Sequence, residues 1–141
     1  MLNVSKTPIS LWTPRTVGIM TIFLLPGGWF LGVLNFHRLG HKRDVIGHLI
    51  FFLCFTLVLG AVAAFNVNLP SATAFLLGIG FGGYMYNANT TVIDEYRADG
   101  GVVEYASGLS GFFIVIGATL GWFVLFMLMM APFILYQTYF G

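Results

Sequence analysis

Val45 to Phe65 limits what this chain can become: it is 21 consecutive residues without a formal charge, dense in Phe, Leu, Val and Ile. As a helix it would be about 31 Å long at ~1.5 Å per residue, close to the ~30 Å hydrocarbon thickness of a bilayer. Such a segment is buried either in a sizeable soluble core or in lipid, and composition decides between them. The chain has 141 residues, 58% of them hydrophobic and 8% charged, with a mean hydropathy of +0.90. A soluble domain carries about 25% charge, and so short a chain cannot enclose that much apolar surface within itself. Lipid is the remaining solvent.

The net charge of +1 leaves no basic footprint for nucleic acid and no polybasic lipid-binding tail. The single cysteine, Cys54, lies within the apolar run and reads as a small buried hydrophobe. Lys6 and Arg15 precede an apolar stretch as they would in a signal peptide, but no small-x-small cleavage site follows a short core, which predicts an uncleaved first span. Leu2 stands where myristoylation needs glycine, and the C-terminus carries no prenylation box.

Four apolar segments predict an all-α, polytopic membrane protein, a compact bundle of four transmembrane helices forming one domain over residues 1–141. The expected spans are 17–34, 45–65, 72–92 and 109–135. Pro8 and Pro14 break the lead-in, where Trp12 is expected at headgroup level. Pro26-Gly27-Gly28 interrupts the first span, which predicts a kinked helix or, alternatively, a re-entrant segment covered by protein. The first loop, Asn35 to Asp44, is the most basic, and the third, Asp94 to Gly108, is the most acidic. Counting lysine and arginine gives two on the side of the N-terminus, second loop and C-terminus, against four in the first and third loops. The positive-inside rule then expects both termini outside.

Leucine contacts do not by themselves hold helices together in lipid, whereas close backbone approach does. Small residues four apart occur in every span: Gly28 and Gly32, Gly60 and Ala64, Gly78 and Gly82, Gly117 and Gly121. These are the expected contact faces.

The third span carries the unusual polarity. Tyr84, Asn87, Thr91 and Asp94, continuing from Gly80, fall on one helical stripe. Such groups are unfavourable in hydrocarbon unless they find partners, so the stripe predicts either a polar path or inter-helix hydrogen bonds. His48 lies one turn into the second span, but no second histidine is expected at a facing depth to ligate haem with it. His37, His41 and His48 have the spacing of a metal face interrupted by Gly40. The acid cluster Asp94, Glu95 and Asp99 lacks the Asp-x-Asp spacing of a calcium loop. No nucleophile elbow, phosphate loop or His-Glu-x-x-His is present. The expectation is therefore no catalytic residue, no metal and no cofactor.

The segment LLPGGWFLGVLNFHRLGHKRD resembles a pattern of uncharacterised small bacterial membrane proteins: Pro-Gly-Gly within a helix, then Asn, then a basic Arg-Leu-Gly turn. Their third helix typically ends on a Tyr-x-x-Gln or Tyr-x-x-Asn stretch before a Gly-Gly loop, to which Tyr86-Asn87-Ala88-Asn89 and Gly100-Gly101 are similar. The resemblance implies the four-helix layout and a bacterial inner membrane, and no activity. The expected function is that of a non-enzymatic accessory, assembly or structural subunit of a larger membrane complex, or alternatively an oligomeric transporter or channel. Expected partners are the bilayer and other membrane subunits or further copies of the chain, and not nucleic acid.

Overall fold

The computed structural model describes residues 7–64 and 70–140, and of Ala64, Ser71, Phe133, Gln137 and Phe140 only the backbone. The described residues run in the order β1 (Ile9–Leu11), α1 (Pro14–Phe23), α2 (Leu25–Arg38), α3 (Lys42–Ala64), α4 (Ser71–Ala98), β2 (Val103–Tyr105) and α5 (Gly108–Phe140). The fold is mainly helical. Two helices are long and apolar enough to cross a membrane, over Lys42–Ala63 and Gly108–Tyr136. The glycines, tyrosines and asparagines of α4 lower its hydropathy, so at 28 residues it has the length but does not qualify by composition.

The stretch expected as a single first span, residues 17–34, is instead divided between two helices that fold back on each other. Thr13 caps α1, its hydroxyl accepting from the Thr16 amide at 3.1 Å, and Pro14 fills the first turn, where no backbone donor is needed. Leu24 is the one non-helical residue between the helices, with φ −134° and ψ 68°. Its amide closes α1 onto the Met20 carbonyl at 2.8 Å, and its carbonyl accepts from the Gly28 amide at 2.8 Å to open α2. Pro26 therefore sits in the first turn of α2 and starts a helix rather than kinking one.

The two arms close because one of them lacks side chains at the contact. A Cβ on Gly28 would overlap the backbone of Met20 and Thr21, and one on Gly32 would lie 3.0 Å from Val17 Cγ1. At the open end the Asn35 side chain holds the Trp12 backbone, and the Arg38 guanidinium donates to the Ser10 carbonyl at 2.7 Å. Entrance and exit of the hairpin thus lie at the same end of the molecule.

That end is closed by a two-stranded parallel sheet, which an all-helical reading does not anticipate. Ile9, Ser10 and Leu11 of β1 face Val103, Glu104 and Tyr105 of β2. Its buried side packs Leu11 against Leu39, Ile93 and Tyr96. The turns feeding this cap share one geometry. After α2, Gly40 (φ 81°) donates to the His37 carbonyl and His41 to that of Phe36; after α4, Gly100 (φ 86°) donates to Arg97 and Gly101 to Tyr96. These are Schellman stops, whose left-handed residue favours glycine.

The main core lies where the hairpin is clasped. Trp12, Val17, Trp29, Leu31, Val33, Phe36, Met85 and Val115 form one buried cluster. Trp12 is 2% exposed and so packs in the core near the capped end. Its indole donates to Ser110 at 3.3 Å, and Arg38 stacks over its ring at 4.4 Å.

Candidate functional site

Two arrangements of polar side chains stand out from the apolar frame, a buried knot and an open groove. The knot joins three segments. Asn35 Oδ1 accepts from the Trp12 amide at 3.0 Å, while its Nδ2 donates to the Trp12 carbonyl at 2.8 Å and to Asn89 Oδ1 at 2.9 Å. Asn89 Nδ2 donates to the Met85 carbonyl one turn back at 3.0 Å. Both asparagines are buried, and the main donors and acceptors of the pair are used. This satisfaction is what buried amides require. The knot leaves no free group for a ligand and reads as a structural clasp.

The groove lies between α3 and α4 and encloses about 940 Å³, within the roughly 300–1,000 Å³ of small-molecule sites. Its α3 wall carries Arg43, Asp44, Gly47, His48 and Phe51, and its α4 wall carries Thr73, Leu76, Leu77, Gly80, Phe81 and Tyr84. The spacing of each set follows one helical face. Gly47 and Gly80 leave room on the two walls, since a Cβ at either would meet nothing within 4 Å among the described residues. Near one end His48 bridges the walls. Its Nδ1 donates to the Asp44 carbonyl at 2.7 Å, which fixes the hydrogen on that nitrogen, and in the neutral ring Nε2 accepts from the Tyr84 hydroxyl at 3.2 Å. Trp29 stacks on Tyr84 and Phe51, and His48 tilts against Phe36 with ring centroids 4.8 Å apart. The Trp29 indole N–H is buried and has no acceptor among the described residues.

The polarity of the groove is graded along its length. Arg43 and Asp44 occupy the first turn of α3, and the lining becomes apolar toward Phe51, Leu76 and Leu77. Asp44 is engaged by His41 Nδ1 at 3.1 Å. Arg43 has no ion pair or hydrogen bond among the described residues.

The expected polar stripe lies elsewhere. Tyr84 lines the groove, but Asn87, Thr91 and Asp94 are exposed on the outside of α4. Thr91 donates back to the Asn87 carbonyl at 3.1 Å, and Asp94 reaches only Arg97 at 4.0 Å. The asparagine brought into the core is Asn89, two residues off the stripe.

Of the small residues, Gly28 lines the hairpin contact, and Gly32 faces Met85 and Asn89 of α4 as well as Val17 of α1. Gly78 and Gly82 meet α1, where a Cβ would come within 2.6 Å of the Ile22 carbonyl and 2.8 Å of the Gly18 carbonyl respectively. Gly60 faces Met130 Sδ of α5, with a Cβ distance of 3.3 Å. The side chain of Ala64 lies outside the described residues. Gly117 and Gly121 make no such contact among the described residues, where nothing lies within 4 Å of a Cβ at either, and both line a second crevice between α2, α3 and α5. Gly18 and Gly27, which the four-residue spacing passes over, are close-approach positions against α4 and α5.

Among the described residues no group of three or more histidine, cysteine, aspartate or glutamate side chains could hold a metal. His37 is exposed, His41 pairs with Asp44, and His48 bridges the groove. No protein-family model, curated protein or solved structure matches the chain.

Proposed function

We propose that this chain is a non-enzymatic integral membrane subunit, an accessory, assembly or structural component of a larger membrane complex. The observation that carries the reading is the outer surface of α3 and α5. In the most apolar window of each helix only 6% of the residues are buried within the chain, leaving large side chains such as Ile50, Leu57, Phe113, Leu120 and Leu128 exposed. So much apolar surface calls for lipid or the helices of other subunits. The buried asparagines and threonines spend their side-chain hydrogen bonds within the fold. Besides the asparagine knot, the Trp122 indole donates to Thr56 at 3.0 Å to tie α5 to α3. In this reading α3, α4 and α5 cross the bilayer, and the α1–α2 hairpin enters and leaves on one side. A bacterial inner membrane is the setting the sequence resemblance implies.

A second reading, an oligomeric transporter or channel, has one observation in its favour. Asn87, Thr91 and Asp94 are exposed along α4, so a polar path would arise there only if further copies covered that face. One experiment separates the two: gentle detergent extraction from the native membrane, then native electrophoresis and mass spectrometry. Co-migration with a fixed set of other chains supports the subunit reading. A homogeneous oligomer of this chain alone overturns it in favour of the transporter, in which Asp94→Asn would alter flux.

A further inference from the structure

We propose that the groove between α3 and α4 binds one anionic phospholipid, taken laterally from the bilayer, with its phosphate at Arg43 and an acyl chain along Phe51, Phe81 and Leu77. The proposal rests on the membrane reading and adds a ligand to it.

Three features of the groove point to this occupant. The first is the order of the lining. Arg43 and Phe51 are eight residues apart on α3, about 12 Å along the helix at ~1.5 Å per residue. Over that distance the wall passes from a guanidinium, through the His48–Tyr84 pair, to aromatic and aliphatic side chains. An amphipathic molecule with a charged head and a long apolar tail matches that gradient, whereas a uniformly polar or uniformly apolar ligand does not. The second is charge. Arg43 has no partner among the described residues, while Asp44, the one carboxylate of the lining, is held by His41 at 3.1 Å. The head of the groove therefore offers a guanidinium with no direct ion pair among the described residues, whose donors suit a phosphodiester. The third is access. Gly47 and Gly80 put no side chain into the space between the walls, leaving a slot into which a chain can be laid from the lipid.

The glycines also supply test variants that leave the fold intact, because a larger side chain at either position extends into open space. The purified full chain in detergent is titrated with phosphatidylglycerol or phosphatidylcholine of identical chains, and adducts are counted by native mass spectrometry. One phosphatidylglycerol per chain is expected to bind before phosphatidylcholine does. Removing one cationic contact predicts roughly five-fold weaker phosphatidylglycerol binding for Arg43→Gln. Arg15→Gln, an exposed cation outside the groove, should behave as wild type. Gly80→Leu, and independently Gly47→Leu, should abolish the stoichiometric adduct with thermal midpoint and elution unchanged. Equal binding of the two lipids, equal effects of Arg43→Gln and Arg15→Gln, or undiminished binding by a folded groove-filling variant overturns the site. Recovery of the chain in the soluble fraction without detergent would instead overturn the membrane reading itself.

Discussion

At the scale of single residues, glycines with the same sequence signature do opposite jobs. Gly82 and Gly83 are adjacent in α4, yet a Cβ on Gly82 would sit 2.8 Å from the Gly18 carbonyl and overlap Ile22, while one on Gly83 would meet nothing. Gly82→Ala must push α1 away from α4, at a cost on the order of 1–3 kcal/mol. Gly83→Ala relieves the helix of a glycine and is expected to be neutral or stabilising by up to ~1 kcal/mol. Thermal unfolding in detergent should give a lowered midpoint for the first variant and an equal or raised one for the second. Asn35 admits a similar test. Asn35→Ala leaves the Trp12 amide and carbonyl and Asn89 Oδ1 unpaired in a buried site, which predicts a loss of about 1–3 kcal/mol or more. Asn87→Ala, on the exposed side of the same helix as Asn89, should leave the midpoint unchanged. The sequence marks the third span as polar but cannot rank its amides. Asn87 and Asn89 differ by two positions, hence by nearly opposite faces of a helix, and the inward one is chosen by Asn35, 54 residues away.

At the scale of elements, the lesson is in the Pro-Gly-Gly segment. Its local signals fit a kinked helix and the start of a new one equally well, since proline disrupts a helix interior but is welcome in a first turn. The choice is made by distant contacts: the Asn35 clasp on Trp12, the Arg38 bond to Ser10, and the pairing of β1 with β2. The second strand is 94 residues beyond the first at Ile9↔Val103, and no local pattern announces such a partner. By contrast α3, with its unbroken apolar run, and the glycine stops at Gly40 and Gly100 are legible because their causes are local. The hairpin predicts an asymmetry between neighbours. Pro26→Ala should fold with little change in midpoint, because the first turn of α2 needs no proline to form. Gly28→Val should fail to give a monodisperse protein, because its side chain would occupy the backbone of Met20 and Thr21. A severe defect in Pro26→Ala beside a well-behaved Gly28→Val would be inconsistent with two packed arms.

At the scale of the whole molecule, the hairpin changes how charges are counted. The described cations are Arg15 in the first turn of α1, Arg38, Lys42 and Arg43 around the α2–α3 turn, and Arg97 in the last turn of α4. All lie at the end capped by β1 and β2, and no Lys, Arg, Asp or Glu occurs in residues 45–93 or 105–141. If the first span crossed, the same cations would be divided two against four between the faces of the bilayer, counting Lys6. With the hairpin, five described cations stand at one end and none at the other. Under the proposed membrane reading, the positive-inside rule would assign the capped end to the cytoplasm. On that reading the N-terminal lead-in from Thr7 would join the cytoplasmic side, and α5, as the third crossing, would carry the chain out. Reporters placed ahead of Met1 and after Gly141 should therefore give opposite signals, cytoplasmic for the first and external for the second. Four crossings would put both reporters in one compartment, so matching signals would reject the hairpin topology whichever compartment they indicated. The same orientation would set the head of the α3–α4 groove, at Arg43, against the cytoplasmic leaflet. The negative surface potential of that leaflet acts on juxtamembrane cations, and an anionic lipid would enter the groove from there.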